Sequence, residues 1–454
     1  MSDIKDSKLK IDRRSFLRST AAIGAGLAFS PMVVAKSDSG KKADEINVAI
    51  LGAGAQGQVL MTACRNIPGI RFKAVCDIWT AYNQKMVARR LKAYDKVMPS
   101  TYVDYREMLD KEKDIDAVIV ATPDFWHSEH AIACLKAGLH VYCEKEMSNT
   151  LEGARKMVEA ARETGKLLQI GHQRRSNPRY IYCYEKLMKE AKILGRITTI
   201  NGQWNRSKAA CEDLGSPSKY AIDDATLKKY GFESMQKFRN WRWYKGLGGG
   251  PIVDLGSHQI DIYSWFLDAH PKSVIASGGI DYWKGHEWYD SVMVVYEYET
   301  SEGVVRALYQ TITTNSSQGY FETFMGDEGT LLISEASGRG SVYREEWVAE
   351  EKWEKWVKKG YVTEAEEIEK PAAAQAAANV MESVPAAKYD LPVTMNKPYH
   401  QPHLENFFAA IRDKNVKLNC PAEVGYETAV SVLKVNEAVE AARKLEFKPE
   451  EFKV

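Results

Sequence analysis

The chain has 454 residues, 44% of them apolar, which suffices to bury two sizeable cores and excludes a single small module. Its 62 basic and 61 acidic side chains leave a formal charge of +1. No global field draws it to nucleic acid or to an anionic membrane, so a small neutral ligand is the expectation.

Asp12-Arg13-Arg14-Ser15-Phe16-Leu17 precedes a weakly apolar stretch rich in Ala and Gly, residues 21–34, which ends at Ala35-Lys36. Residues 1–35 therefore resemble a twin-arginine export signal, and 36–44 read as a flexible lead. The apolar run falls short of the about 20 residues that a spanning helix needs, so no stable membrane span is expected. Val33 stands where Ala is commoner at a cleavage site, which leaves a retained anchor as the alternative to cleavage. The implied partner is the twin-arginine machinery and the implied location is the periplasm. That route carries folded proteins, so a cofactor loaded before export would travel out bound and be recycled within its site.

From residue 45 to 170, short apolar runs at 48–51, 72–76, 117–121, 140–143 and 167–170 alternate with helical apolar spacing at 59–67, 80–94, 127–137 and 151–164. This alternation predicts an α/β, doubly wound parallel sheet with right-handed crossovers. Gly52-Ala53-Gly54-Ala55-Gln56-Gly57 lies between the first run and the first helix. Gly52 permits the turn, Gly54 lets backbone approach a pyrophosphate, and Gly57 lets the helix pack against the sheet. Asp77, twenty residues beyond Gly57, ends the second run, where a carboxylate accepts hydrogen bonds from the adenosine ribose hydroxyls. Ile78-Trp79 offers no arginine for a 2′-phosphate, so NAD is favoured over NADP.

After Gly171 the texture changes to aromatic-rich strand patterns at 197–204, 273–280, 291–299, 304–313 and 321–326. They predict a second, α+β domain over 171–454 on an open, largely antiparallel sheet. Helical patterns at 399–412 and 422–444 are expected to pack back on the body. Two charged stretches, 208–239 and 345–388, read as peripheral helices or loops; the second contains a Pro-Ala-Ala-Ala-Gln-Ala-Ala-Ala run. The seven cysteines, an odd number without C-x-x-C spacing, form no disulfide framework and read as core fillers.

The second dense signal runs from Gly248-Gly249-Gly250-Pro251 to Asp254, His258 and Asp261. Proline at a first helical position loses no hydrogen bond, and the three polar residues fall at i, i+4 and i+7 on one face. A neutral imidazole with an ordinary pKa near ~6.5 suits removal of a hydroxyl proton, which makes His258 the candidate base. Asp254 could bond a neighbouring substrate hydroxyl or relay the proton, whereas Asp261 reads as structural. Lys145 directly follows a strand at the sheet's carboxyl edge, where an ammonium stabilises a developing alkoxide. The compact His/Cys/Glu set of a zinc site is missing, and neither His127 with His130 nor His400 with His403 reads as a metal pair, so no metal is expected. Trp204, Trp241, Trp243 and Trp283 read as core or interface, with stacking on a sugar face as the alternative.

On these motifs, together with Ala121-Thr122-Pro123 and Gly171-His172-Gln173-Arg174-Arg175, the chain resembles the Gfo/Idh/MocA family of NAD(P)-dependent sugar and inositol oxidoreductases. The resemblance implies that Lys145, Asp254 and His258 form the catalytic set. It also implies that Thr122, Pro123, His127 and Glu144 line the nicotinamide side, that Arg175 lies near cofactor or substrate, and that the protein is a homo-oligomer. Where the family has Glu-Lys-Pro, this chain has Glu146, whose carboxylate would re-aim Lys145 or pair with it. The function expected is hydride transfer between a secondary alcohol of a sugar, cyclitol or glycoside and a tightly held NAD. The alternatives are an NAD-dependent glycosidase working by transient oxidation and elimination, and a non-catalytic sugar binder.

Overall fold

The computed structural model describes residues 45–336, 338–365 and 386–454. The export signal expected at 1–35, its lead at 36–44 and the Pro-Ala run lie outside the described residues. Among the described residues, no helix is long and apolar enough to cross a membrane.

Six strands form the first sheet: β1 (Ile46–Leu51), β2 (Ile70–Cys76), β3 (Ser100–Tyr102), β4 (Ala117–Val120), β5 (His140–Cys143) and β6 (Leu168–Ile170). Their order is β3-β2-β1-β4-β5-β6 and every pairing is parallel. This is the doubly wound arrangement, whose order reverses between β1 and β4, and ligands of such sheets bind in the crevice beyond the carboxyl ends there. Residues of β4 are buried on both faces, as parallel strands sandwiched by helices must be.

The helix after β1, α1 (Ala55–Cys64), starts four residues before the apolar spacing suggested. The end of the glycine turn, Ala55 to Gly57, is already its first turn. Gly52 takes φ +93°, and a side chain on it would strike the Ala121 carbonyl of the neighbouring strand end. A side chain on Gly57 would collide with the Gly52 carbonyl, so close helix–strand packing demands glycine there.

The second sheet has ten strands. Its middle comprises β7 (Ile197–Asn205), β8 (Pro271–Gly279), β9 (Ser291–Thr300), β10 (Gly303–Ile312) and β11 (Tyr320–Gly326). Short strands extend it: β12 (Gly329–Ile333), β13 (Gly340–Arg344), β14 (Thr363–Glu364), β15 (Ala387–Asp390) and β16 (Leu445–Glu446). The order is β14-β15-β13-β12-β11-β7-β10-β9-β8-β16, and only β7 with β10 pairs in parallel. Strict alternation along β9, with Val292, Val294, Tyr296 and Tyr298 inward, marks one covered face.

Two C-terminal helices return to the first sheet. In α2 (Gln401–Arg412), Phe407 and Phe408 join the core built on Ile50 and Tyr142. In α3 (Ala422–Ala441), Gly425 passes so close to Ile170 that a β-carbon would overlap its side chain. The Ile170 amide bonds the Cys420 carbonyl at 3.0 Å. All seven cysteines are buried free thiols.

The charged stretch expected to be peripheral at 208–239 is a roof. Its short helices and the segments beside them carry Ile222, Leu227, Tyr230 and Phe232 into an apolar cluster with Trp79 of the first domain. The Trp79 indole donates to the Tyr220 carbonyl at 2.5 Å, and Phe238 meets its ring edge-on at 5.7 Å. Charge on the outer faces hid an apolar underside, because residues in single helical turns show no readable period.

Candidate active site

A cleft of about 950 Å³ opens where the carboxyl edge of the first sheet meets the second sheet and the roof. At one end stands the open N-terminus of α1, which has no side-chain cap, so its first amide groups are free to face an anion. A β-carbon on Gly54 would meet only the Asn83 amide nitrogen, at 3.9 Å, which leaves the approach to those amides clear. Asp77 is oriented rather than loose: its carboxylate accepts from the Ala53 and Trp79 amides, each at 2.7 Å. Burial pushes its carboxyl up, and these amides oppose that rise. Oδ2 accepts in addition from the Asn83 amide at 3.5 Å, and Oδ1 keeps a further lone pair for a ribose hydroxyl. Cradle, open helix end and ribose acceptor together fit a nicotinamide dinucleotide.

At the other end, the loop after β5 meets a helical stretch that begins as a wide turn, Ile252–Gly256, and continues as α-helix over Ser257–Leu267. The Lys145 ammonium bonds the Asp254 carbonyl at 2.5 Å and lies 3.5 Å from its carboxylate. Burial alone would raise the Asp254 carboxyl, but Arg242, Lys145 and Arg206 hold it well below the ordinary range. His258 is buried beside them with its ring 5.4 Å from that of Trp204. Burial, reinforced by Lys145 and Arg174, drives its pKa well below the ordinary value expected from sequence, so the imidazole is neutral and a weaker base than an exposed one.

Of the residues singled out from sequence, Gly52, Gly54, Ala55, Gln56, Asp77, Thr122, Pro123, His127, Glu144, Lys145, Asp254 and His258 all line the cleft. Gly57 lies beneath it as packing. Arg175 is a correction: it is not among the lining residues. Its guanidinium is spent on Asp261, 2.8 Å away, which also accepts from the Thr428 hydroxyl. Asp261 is therefore engaged by side chains, Arg175 and Thr428.

His127 braces the site. Its two ring nitrogens lie 2.7 Å from the carbonyls of Glu146 and Thr122, tying the Lys145 loop to the end of β4. Burial lowers its pKa to about 4. Glu144 accepts from the Gln56 amide at 3.1 Å. His130 turns instead to the Thr122 hydroxyl, at 3.0 Å, and stacks on Trp126. His403 is held by Ser176 and the Ile170 carbonyl, whereas His400 reaches the cleft beside Gln56. Among the described residues, no group of three or more His, Cys, Asp and Glu is arranged to hold a metal ion.

Glu146 does not pair with Lys145. Its carboxyl is fully buried, accepts from the Met147 amide at 2.9 Å and faces His172 at 4.0 Å. Burial pushes it up to about 8. The ammonium consequently keeps Asp254 as its partner.

Sequence reasoning missed Asp124, Arg206 and Arg242, all of which line the cleft. Asp124 begins a helix directly after Pro123, and its burial pushes its carboxyl up to about 7. The arginines flank the stretch read as peripheral, one on each side of 208–239, where nothing local marked them. Only the Gly-Gly-Gly-Pro turn that follows hinted that the chain was entering a site.

A doubly wound sheet with a dinucleotide cradle, facing an open-sheet domain across a cleft with a lysine, an aspartate and a histidine, defines a two-domain dinucleotide-binding protein. Residues 46–172 match the oxidoreductase family with an NAD-binding Rossmann fold, Gfo/Idh/MocA, and residues 186–332 match that family's C-terminal domain; the chain belongs to this family. It is 29% identical over 239 residues to scyllo-inositol 2-dehydrogenase (NADP(+)) of Bacillus subtilis, covering 52% of this chain and 56% of the relative. It is 31% identical over 176 residues to a glycosyl hydrolase family 109 protein of Shewanella baltica, covering 34% and 38% of the two chains. The matched stretch thus spans little more than half the length of the first relative and less of the second. A levoglucosan dehydrogenase solved with NADH and L-sorbose shares the fold, with a TM-score of 0.65 at 17% identity over 89% of this chain and 100% of that one.

Proposed function

We propose that the protein is an exported oxidoreductase that removes hydride from a secondary alcohol of a sugar, cyclitol or glycoside. The observation that carries this is the convergence of Lys145, Asp254 and a neutral His258 in one cleft with the dinucleotide cradle. When bound, the nicotinamide group would supply the hydride acceptor. The His258 imidazole takes the hydroxyl proton, and the Lys145 ammonium lowers the cost of alkoxide character on that oxygen. Asp254 holds the ammonium in place through its carbonyl and carboxylate. Asp77 supports NAD over NADP, because its carboxylate would repel a 2′-phosphate.

The roof on Trp79 supports a cofactor that is not exchanged each turnover. The paired arginines at 13 and 14 support delivery already folded by the twin-arginine route, with the catalytic body following the lead at 36–44. Exposed Ile275, Met293, Val304 and Leu308 on the open sheet support a homo-oligomer. The likeness to a glycosyl hydrolase family 109 protein favours one second reading, transient oxidation followed by elimination of the glycosidic bond, with no net redox change. The test is to purify the protein from the periplasm, identify any bound cofactor, and screen glycosides for nicotinamide absorbance and for released sugar. Reduction supports the dehydrogenase, release without reduction supports the glycosidase, and absence of both overturns both.

A further inference from the structure

The overall charge of the chain pointed to a neutral ligand, yet the reacting end of the cleft is not neutral. Three cations converge on the single carboxylate of Asp254. Lys145 lies 3.5 Å from one oxygen, Arg242 Nε lies 3.0 Å from the same oxygen, and Arg206 lies 3.7 Å from the other. Resting on the functional reading above, we propose that the substrate is an acidic carbohydrate whose carboxylate or sulfate docks on Arg206 and Arg242 beside the reacting carbon.

Both arginines keep unspent donors. Among the described residues, the Arg206 guanidinium makes no hydrogen bond, and Arg242 spends only its Nε. Both line the cleft, and their side chains are 34% and 39% exposed, so the forks are open to a ligand. Arg206 lies over the face of Trp204, at 5.3 Å, which itself stacks on Tyr320 at 4.6 Å. A guanidinium anchored between an aromatic face and the Asp254 carboxylate still presents donors that match a carboxylate or sulfate with two parallel hydrogen bonds.

The other acids of the cleft offset this charge only in part. Glu335 is tied to Arg174 at 2.9 Å and Asp77 stands at the adenosine end, which leaves Glu144, an acceptor from Gln56 and the Lys145 amide, and the exposed Glu212 along the cleft. Asp124, pushed up to about 7 by burial, carries only part of its charge at neutral pH. Nor is the arginine pair part of the dinucleotide cradle. It belongs to the segment after β7 and to the short turn Trp241–Trp243, grouped with Asp254, while the pyrophosphate is served by the open end of α1.

The test uses the cofactor-loaded protein and matched methyl glycosides in gluco, galacto and manno configuration, each neutral, as its uronate and as its 6-sulfate. Binding is read by tryptophan fluorescence, and reduction by nicotinamide absorbance. At least one acidic member should bind tenfold or more tightly than its neutral partner, with the advantage shrinking as salt is raised. Preference for uronate or for sulfate tells which anion the fork takes. Arg206→Gln should abolish the advantage and Arg206→Lys should restore part of it, both at an unchanged melting temperature. Neutral glycosides that bind as tightly as acidic ones, or an advantage that survives in Arg206→Gln, would overturn the inference. Turnover of neutral sugars alone sinks this inference and leaves the dehydrogenase reading standing. Arg206-dependent binding of acidic sugars without redox change or sugar release does the reverse.

Discussion

The Lys145 ammonium, at the carboxyl edge of the parallel sheet, bonds the main-chain carbonyl of Asp254 on the helix that opens the second half of the chain, at 2.5 Å. One hydrogen bond thereby joins the two halves of the cleft at the point where chemistry is proposed. Lys145→Ala should cut turnover by roughly 10²–10³-fold, the size typical of losing one electrostatic stabiliser, while dinucleotide affinity changes little. Stopped-flow reduction of bound cofactor beside a cofactor titration measures both.

Glu146 and the unfolded chain part company over pH. The carboxyl titrates near 4.5 when free and near 8 when buried, so its folded-state pKa is raised. Any stability this group leaves intact is full below pH about 4.5, falls as the unfolded chain ionises while the fold holds the proton, and levels off above about 8, at about 1.4 kcal/mol per pH unit. Glu146→Gln removes that slope. The melting temperature of the variant relative to the parent should climb from pH 5 to pH 8, and a constant difference across that range would contradict the buried, protonated carboxyl.

Asp77 serves two masters, since it receives the Ala53 and Trp79 amides as well as facing the place of the ribose. Asp77→Ala would orphan both amides and lower the melting temperature of the cofactor-free protein. Asp77→Asn is the cleaner change, because it keeps an acceptor while removing charge. It should weaken NAD about tenfold and narrow the preference over NADP, as measured by fluorescence titration with each dinucleotide.

Phe238 closes the roof on Trp79 edge-on, at 5.7 Å, and on Phe232 at 5.0 Å. Phe238→Ala should speed loss of bound dinucleotide about tenfold while leaving the second sheet intact. Retention of cofactor through gel filtration, followed by its ultraviolet ratio, reports the change.

The doubly wound sheet was legible because β1, β2, β4 and β5 hold short, mostly apolar runs that alternate with helical spacing, and the cradle because glycine is obligatory at 52 and 57. Strand β3 and the extension strands β12 to β16 were not, since runs of two to five residues carry too few side chains to show a period. That Lys145, Asp254 and His258 would share a cleft was legible because two lie on one helix and the third follows a strand of the parallel sheet. Arg206 and Arg242 escaped notice for the opposite reason. Their partner, Asp254, is 48 and 12 residues away, and local pattern cannot reveal which surface arginine the tertiary fold turns inward. Arg175 was misplaced by the same blindness, since nothing near it in sequence announces Asp261.

Trp79 reaches across 141 residues of chain to the Tyr220 carbonyl, and that span makes the adenosine end of the cleft a place with a door. The expectation is that a dinucleotide leaves past this indole. Swapping labelled cofactor for unlabelled would then keep time with the breathing of the roof, and amide exchange at residues 218–240 should tick at the same rate in protein that has never met a sugar.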